Sequence, residues 1–184
     1  MLVIFAAVLI RLFPHPPNFA PIAAMALFGG AYLNKKYSLM IVFTTLILSD
    51  YLLLYIHPFS PQFINLSKIY GPAVLLHSTT IFVYLSFLLT SLLGIWVKSH
   101  KSAKNILSAS LFSSVLFFLI TNFGVWATGM YARNLSGLWE SYVMGIPFFK
   151  NTVFGDLSYA GIFFGCYELV QLLVVRYSIS KVRS

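Results

Sequence analysis

The sequence predicts an all-α integral membrane protein, a six-helix transmembrane bundle with an additional short interfacial or re-entrant helix. It forms a single transmembrane domain over residues 1–184. Three observations predict it. Of 184 residues, 59% are hydrophobic and only 9% charged, where a soluble domain carries roughly 25% charged residues. The apolar residues fall in runs approaching the ~20 residues that a bilayer crossing needs. The bases sit in short clusters between those runs.

The first apolar run covers residues 1–13. It lacks a basic n-region and a small-residue cleavage site, so it reads as a span rather than a removed signal peptide. The break Pro14-His15-Pro16-Pro17-Asn18 follows, and three prolines in four positions exclude helix there. A second helix is expected over residues 19–33, stopped by Asn34 and the Lys35-Lys36 pair. A third runs over 38–56 and ends at His57-Pro58. After a polar loop, a fourth covers 73–97, closed by the basic stretch at 98–104. A fifth covers 105–120. Residues 121–144 are mixed, with a short amphipathic helix expected from about residue 135 and broken by Gly145-Ile146-Pro147. A sixth covers 152–176, and a basic tail closes the chain.

The net charge is +8, from 12 Lys and Arg against 4 Asp and Glu. Clusters between apolar runs are the pattern of cytoplasmic loops and exclude a nucleic-acid face. With the N-terminus inside, Lys35, Lys36, Lys98, Lys101, Lys104, Arg176, Lys181 and Arg183 fall on the inner side. Arg11, Lys68, Arg133 and Lys150 fall on the outer side, a bias of eight to four in the direction of the positive-inside rule. The expected location is the inner (plasma) membrane of a bacterium, with both termini cytoplasmic. The single cysteine, Cys166, reads as a small buried hydrophobe.

This orientation gathers the unusual residues at the outer end. Asp50 lies 14 residues beyond Lys36, which places it ~21 Å across the bilayer at 1.5 Å per residue. His15, Asn18, Asn122, Trp126, Asn151 and Asp156 fall at the same end. Irregular backbone at membrane depth is tolerated only where protein or a water-filled cavity covers it, so an outward-facing cavity is expected. A carboxylate at that depth costs on the order of 3 kcal/mol, so Asp50 and Asp156 each need a partner or a ligand. Asp156 also sits where the first turn of the sixth helix is expected, with Asn151 or Thr152 as its cap. Glu168 is expected to pair with a neighbouring helix. The stripes His77, Thr80, Tyr84, Ser91 and Asp156, Tyr159, Phe163, Tyr167 fall on single helix faces. Small residues four apart (Ala20 with Ala24, Ala26 with Gly30, Gly161 with Gly165) allow close helix approach.

No metal-ligand spacing, nucleophile elbow or Gly-x-x-x-x-Gly-Lys loop occurs. The chain therefore reads as a non-enzyme without cofactor or metal, and any energy for uphill transport has to come from an ion gradient or another subunit.

The strings Arg11-Leu-Phe-Pro-His-Pro-Pro-Asn-Phe-Ala-Pro-Ile-Ala-Ala-Met-Ala-Leu-Phe-Gly-Gly-Ala31, Thr121-Asn-Phe-Gly-Val-Trp126 and Gly145-Ile-Pro-Phe-Phe-Lys-Asn-Thr-Val-Phe-Gly-Asp-Leu157 resemble an uncharacterised bacterial multi-pass membrane-protein family. More distantly, the layout is similar to the substrate-binding S components of energy-coupling-factor (ECF) vitamin transporters. That resemblance implies an outer ligand cavity near Asn18, Tyr84, Asn122, Trp126, Asn151 and Asp156, to which their place at the outer end adds His15 and Asp50 as candidate ligand contacts. It also implies a vitamin- or cofactor-like small-molecule ligand, and a membrane coupling subunit with ATPases as partner besides the lipid bilayer. The first segment has Ala6-Ala7 but not the Ala-x-x-x-Ala of many S components.

The leading expectation is a small-solute binding and uptake protein. The alternative is a non-catalytic structural or interaction subunit of a membrane complex. A third reading, a membrane enzyme using Asp50, Asp156 and His15 on a lipid substrate, ranks below both for want of a catalytic motif.

Overall fold

The computed structural model describes residues 9–10, 18–55 and 78–183. Within them the protein is all-helical: α1 (Ile22–Tyr32), α2 (Lys35–Tyr55), α3 (Thr80–Ser99), α4 (Ala103–Ala127) and α5 (Leu135–Arg183). Three of these, α3, α4 and α5, are long and apolar enough to cross a bilayer. The first expected span and the 58–72 loop lie outside the described residues, apart from Leu9 and Ile10.

The six-span layout needs correcting in two places. Helix α1 has 11 residues, so it is ~16 Å long and cannot cross a ~30 Å hydrocarbon core alone. The separate interfacial helix does not exist either. Helix α5 runs unbroken for 49 residues with Pro147 inside it. Proline lacks only its own N–H and so gives up one bond, to the carbonyl of Val143. A full break would orphan several backbone groups instead of one. Continuity therefore wins, and the expected break at Gly145-Ile146-Pro147 is absent. By the same logic α4 continues to Ala127, well past the expected end near residue 120.

Helix α1 is the centre of the bundle. It is apolar on every side, with Ile22, Met25, Ala26 and Leu27 at 0–1% exposure, as a helix enclosed by others requires. It packs on α2, α3, α4 and α5, most extensively on α3. That crossing is made by two glycines. A Cβ on Gly94 would lie 2.9 Å from the Cα of Gly30 and still closer to the carbonyl of Leu27. Backbone-to-backbone contact of this kind is how apolar helices gain dispersion energy without a hydrophobic drive between them. Thus Ala26 and Gly30 form a real contact face. Nothing lies within 4 Å of a Cβ built on Gly161 or Gly165, so that second pair packs against no described residue.

Two apolar clusters result. One joins Ile22, Met25 and Ala26 of α1 to Val42 and Leu46 of α2 and Phe87 of α3. The other joins Leu27 and Ala31 to Val97, Ala109, Ala160 and Phe164. The buried hydroxyls of Ser49, Ser86, Thr90 and Ser113 donate to carbonyls three or four residues earlier. A small polar side chain is thereby satisfied within its own helix.

Helices α4 and α5 form an antiparallel hairpin. The Tyr142 hydroxyl donates to the Leu119 carbonyl at 3.0 Å, Phe118 packs on Tyr142 and Phe149, and Asp156 meets Ser114 deeper in. Beyond Glu168, α5 leaves the bundle, and Leu169, Val170, Leu172, Leu173, Val174 and Val175 are all exposed. Cys166 is exposed as well, contrary to its expected burial.

Candidate functional site

Chain direction sorts the helix ends into two groups. At one end the C-terminus of α1 meets the start of α2 and the 100–102 connection. Lys98 Nζ donates to the Leu33 carbonyl at 3.3 Å. Lys101 Nζ donates to Glu168 Oε1 at 2.7 Å and to the Tyr32 hydroxyl at 3.5 Å. The Tyr32 hydroxyl itself donates to Glu168. The bond to Glu168 raises the Lys101 ammonium above its ordinary pKa. Glu168 therefore finds the neighbouring-helix partner the sequence leads one to expect in Tyr32 of α1, and Lys101 of the connecting loop joins it. An aromatic column of Phe28, Tyr32, Phe164 and Tyr167 fills the space behind it.

At the other end lie two adjoining cavities of about 420 and 190 Å³. Asn18, Val83, Phe117 and Thr152 line both. The larger is walled by the α4–α5 hairpin, with Phe118, Thr121, Asn122, Ser141 and Phe148. The smaller lies against α1, α2 and α3 and holds Asp50, Thr80, Tyr84, Phe87 and Asp156.

Each polar group reaches the cavities for a local reason. Asn18 precedes α1 with φ 63°. Asparagine is one of the few residues that takes the left-handed region at little cost, and backbone of this kind concentrates at functional sites. Asn122 donates through Nδ2 to the Phe118 carbonyl at 2.8 Å. Its side chain has room because residue 145 is glycine: a Cβ there would lie 2.8 Å from Asn122 Cγ. Asp50, half-buried on α2, accepts from the Tyr84 hydroxyl at 3.4 Å.

Asp156 is 2% exposed and accepts from the Ser114 hydroxyl at 2.6 Å. Because α5 starts at Leu135, Asp156 lies six turns into the helix at 3.6 residues per turn. Its expected place in a first turn is wrong, and helix-end stabilisation does not account for it. Thr152 caps nothing; its hydroxyl donates to the Phe148 carbonyl at 3.1 Å.

The structure thus brings Asn18, Asp50, Tyr84, Asn122 and Asp156 around the two cavities. It places Trp126 elsewhere, with the indole N–H donating to the Ala132 and Asn134 carbonyls at 3.1 and 3.2 Å. Trp126 therefore pins the turn between α4 and α5. Asn151 is half-buried on α5 and lines neither cavity. His15 and His77 lie outside the described residues. Of the two helical stripes, Thr80 and Tyr84 face the smaller cavity. Ser91 is buried where α3 crosses Gly30, and Tyr159 and Phe163 pack on Phe19 and Phe28.

Sequence reasoning missed Ser114, Phe87 and Phe117. Ser110, Ser113 and Ser114 are spaced to share one face of α4 and are all buried, a stripe that marks the face but not the partner it meets.

Among the described residues no three His, Cys, Asp or Glu side chains gather as a metal site. The arrangement offers apolar and aromatic walls, two carboxylates, two carboxamides and several hydroxyls, which suits recognition better than bond-making. No curated protein and no solved structure matches the chain. A family model does match, over residues 1–178, and the chain belongs to that family, DUF6580, a family of unknown function.

Proposed function

We propose that this protein binds a small solute within the membrane and serves its uptake, in the manner of an ECF transporter S component. The observation that carries the reading is the pair of adjoining cavities at one end of the bundle, where aromatic walls surround a few polar groups. Ligand sites have this composition and size. A left-handed Asn18 at the cavity rim supports it. The basic loops lie at the opposite end, so under the positive-inside rule the cavities open outward. On this reading the chain is not an enzyme, and a coupling subunit supplies the energy.

Native mass spectrometry of protein purified in mild detergent, with no ligand added, tests this. A discrete small-molecule adduct is expected. Bare protein across several preparations would overturn the reading.

The alternative, an interaction subunit, draws on the exposed apolar stretch 169–175 and the uncovered Gly161 and Gly165. It predicts a bound second protein in the same spectrum and no small adduct.

A further inference from the structure

Resting on the solute-binding reading, we infer the class of ligand: a cation, carrying a protonated amine or amidine on an aromatic or apolar body. The chain holds 12 bases and 4 acids, so chance would line a cavity with bases. The smaller cavity instead carries Asp50 and Asp156, and none of the described residues that line either cavity is Lys, Arg or His.

Asp156 sharpens the argument. It is almost wholly buried, at 2% exposure, and its Ser114 partner supplies little. A hydroxyl has a single proton to donate, and Ser114 Oγ stands within reach of both Asp156 Oδ2 at 2.6 Å and the Ser110 carbonyl at 3.1 Å. An ionised carboxylate accepts about four hydrogen bonds. One shared neutral donor leaves most of that capacity open, and a buried carboxylate that stays ionised needs an opposite charge and its hydrogen bonds. A primary ammonium brings both, with three donors.

The remaining walls fit the rest of such a molecule. Phe87, Phe117 and the Tyr84 ring offer π-faces, which attract a cation within about 6 Å. An anionic ligand would meet the buried Asp156 carboxylate and is disfavoured.

The test uses purified protein in detergent and three sets of probes matched in shape: phenethylamine and tryptamine, their alcohols phenethyl alcohol and tryptophol, and the carboxylates hydrocinnamate and indole acetate. Melting temperature is recorded over a concentration series into the millimolar range. The expected result is a shift with the amines alone. In Asp156→Asn, which keeps the size of the side chain and its contact with Ser114, the amine affinity should fall roughly 30-fold or more, as for truncation of a buried charge pair.

A shift with alcohols or carboxylates equal to that with amines overturns the cation inference while solute binding stands. No shift with any probe, together with bare protein in the native spectrum, overturns both. Should Asp156→Asn fail to fold, Asp50→Asn takes its place, and the ranking of the three classes on the wild-type protein decides without any variant. Equal amine affinity in the folded Asp156→Asn and Asp50→Asn variants also overturns the inference.

Discussion

The two ends of the bundle solve the same problem in opposite ways. At the basic end, charged and polar groups satisfy one another: Lys101, Glu168 and Tyr32 form a closed set, and Lys98 covers the Leu33 carbonyl just past α1. Between the ends, α1 and α3 touch backbone to backbone through Gly30 and Gly94. At the cavity end, space is left open and polar groups face it, with Asp156 held by one hydroxyl. Close packing and open polar space are thus separated along the helix axes. The half-length helix α1 fills one half of the bundle, and Asn18 at its start borders the part it leaves vacant.

Substitutions along this axis should therefore differ in kind as well as size. The largest effect is expected at the crossing. Gly94→Leu drives a side chain into the backbone of α1, which cannot yield as a flexible side chain would, and should cost about 3 kcal/mol or more. Loss of a cooperative melt in detergent checks it. An unchanged melt would mean that the helices do not cross at these glycines.

Pro147→Ala comes next. It restores the hydrogen bond that proline cannot donate and should stabilise by about 1 kcal/mol, raising the melting temperature. Gly145 and Phe148 border the larger cavity, so a simultaneous loss of ligand would show that a bend at Pro147 shapes that wall.

The smallest effect is expected at the basic end. Lys101 and Glu168 have side chains 43% and 45% exposed, and exposed pairs contribute about 0–1 kcal/mol. Glu168→Gln should lower the melting temperature by about 4 °C at most. Because the Lys101 pKa is raised in the folded protein, its contribution is complete below the ordinary lysine range. It disappears only as pH rises through the higher folded value. The wild-type and Glu168→Gln melts should therefore converge in strongly alkaline buffer and stay apart near neutrality.

Much of this was legible in the sequence, and the failures share a cause. Composition and apolar runs predict the helical class, and charge clusters predict which helix ends meet at the Lys98–Lys101 end. Asp50, Tyr84, Asn122 and Asp156 stood out because a polar group in an apolar helix is rare and costly, and Asn18 stood out as the end of the Pro-rich break. The break at Pro147 and the cap at Thr152 were misread because a proline inside a helix gives up a single backbone bond, too little here to end it, so α5 runs through both positions. Ser114 was invisible because its role depends on α4 lying antiparallel to α5, which no local pattern encodes. Trp126 was misplaced for the converse reason: an indole next to polar residues looks like a ligand contact until the turn at 128–134 folds back onto it.

The central claim is that the open end binds a small solute and the closed end does not. The most direct measurement compares native spectra of two variants, one at each end. Val83 borders both cavities, and Val83→Trp fills the space between them. Lys101→Ala opens the ion-paired set and leaves the cavities alone. Both variants should melt cooperatively, the adduct should vanish from Val83→Trp, and it should persist in Lys101→Ala. An adduct retained by folded Val83→Trp, or lost with Lys101→Ala, would place the ligand elsewhere and contradict the account.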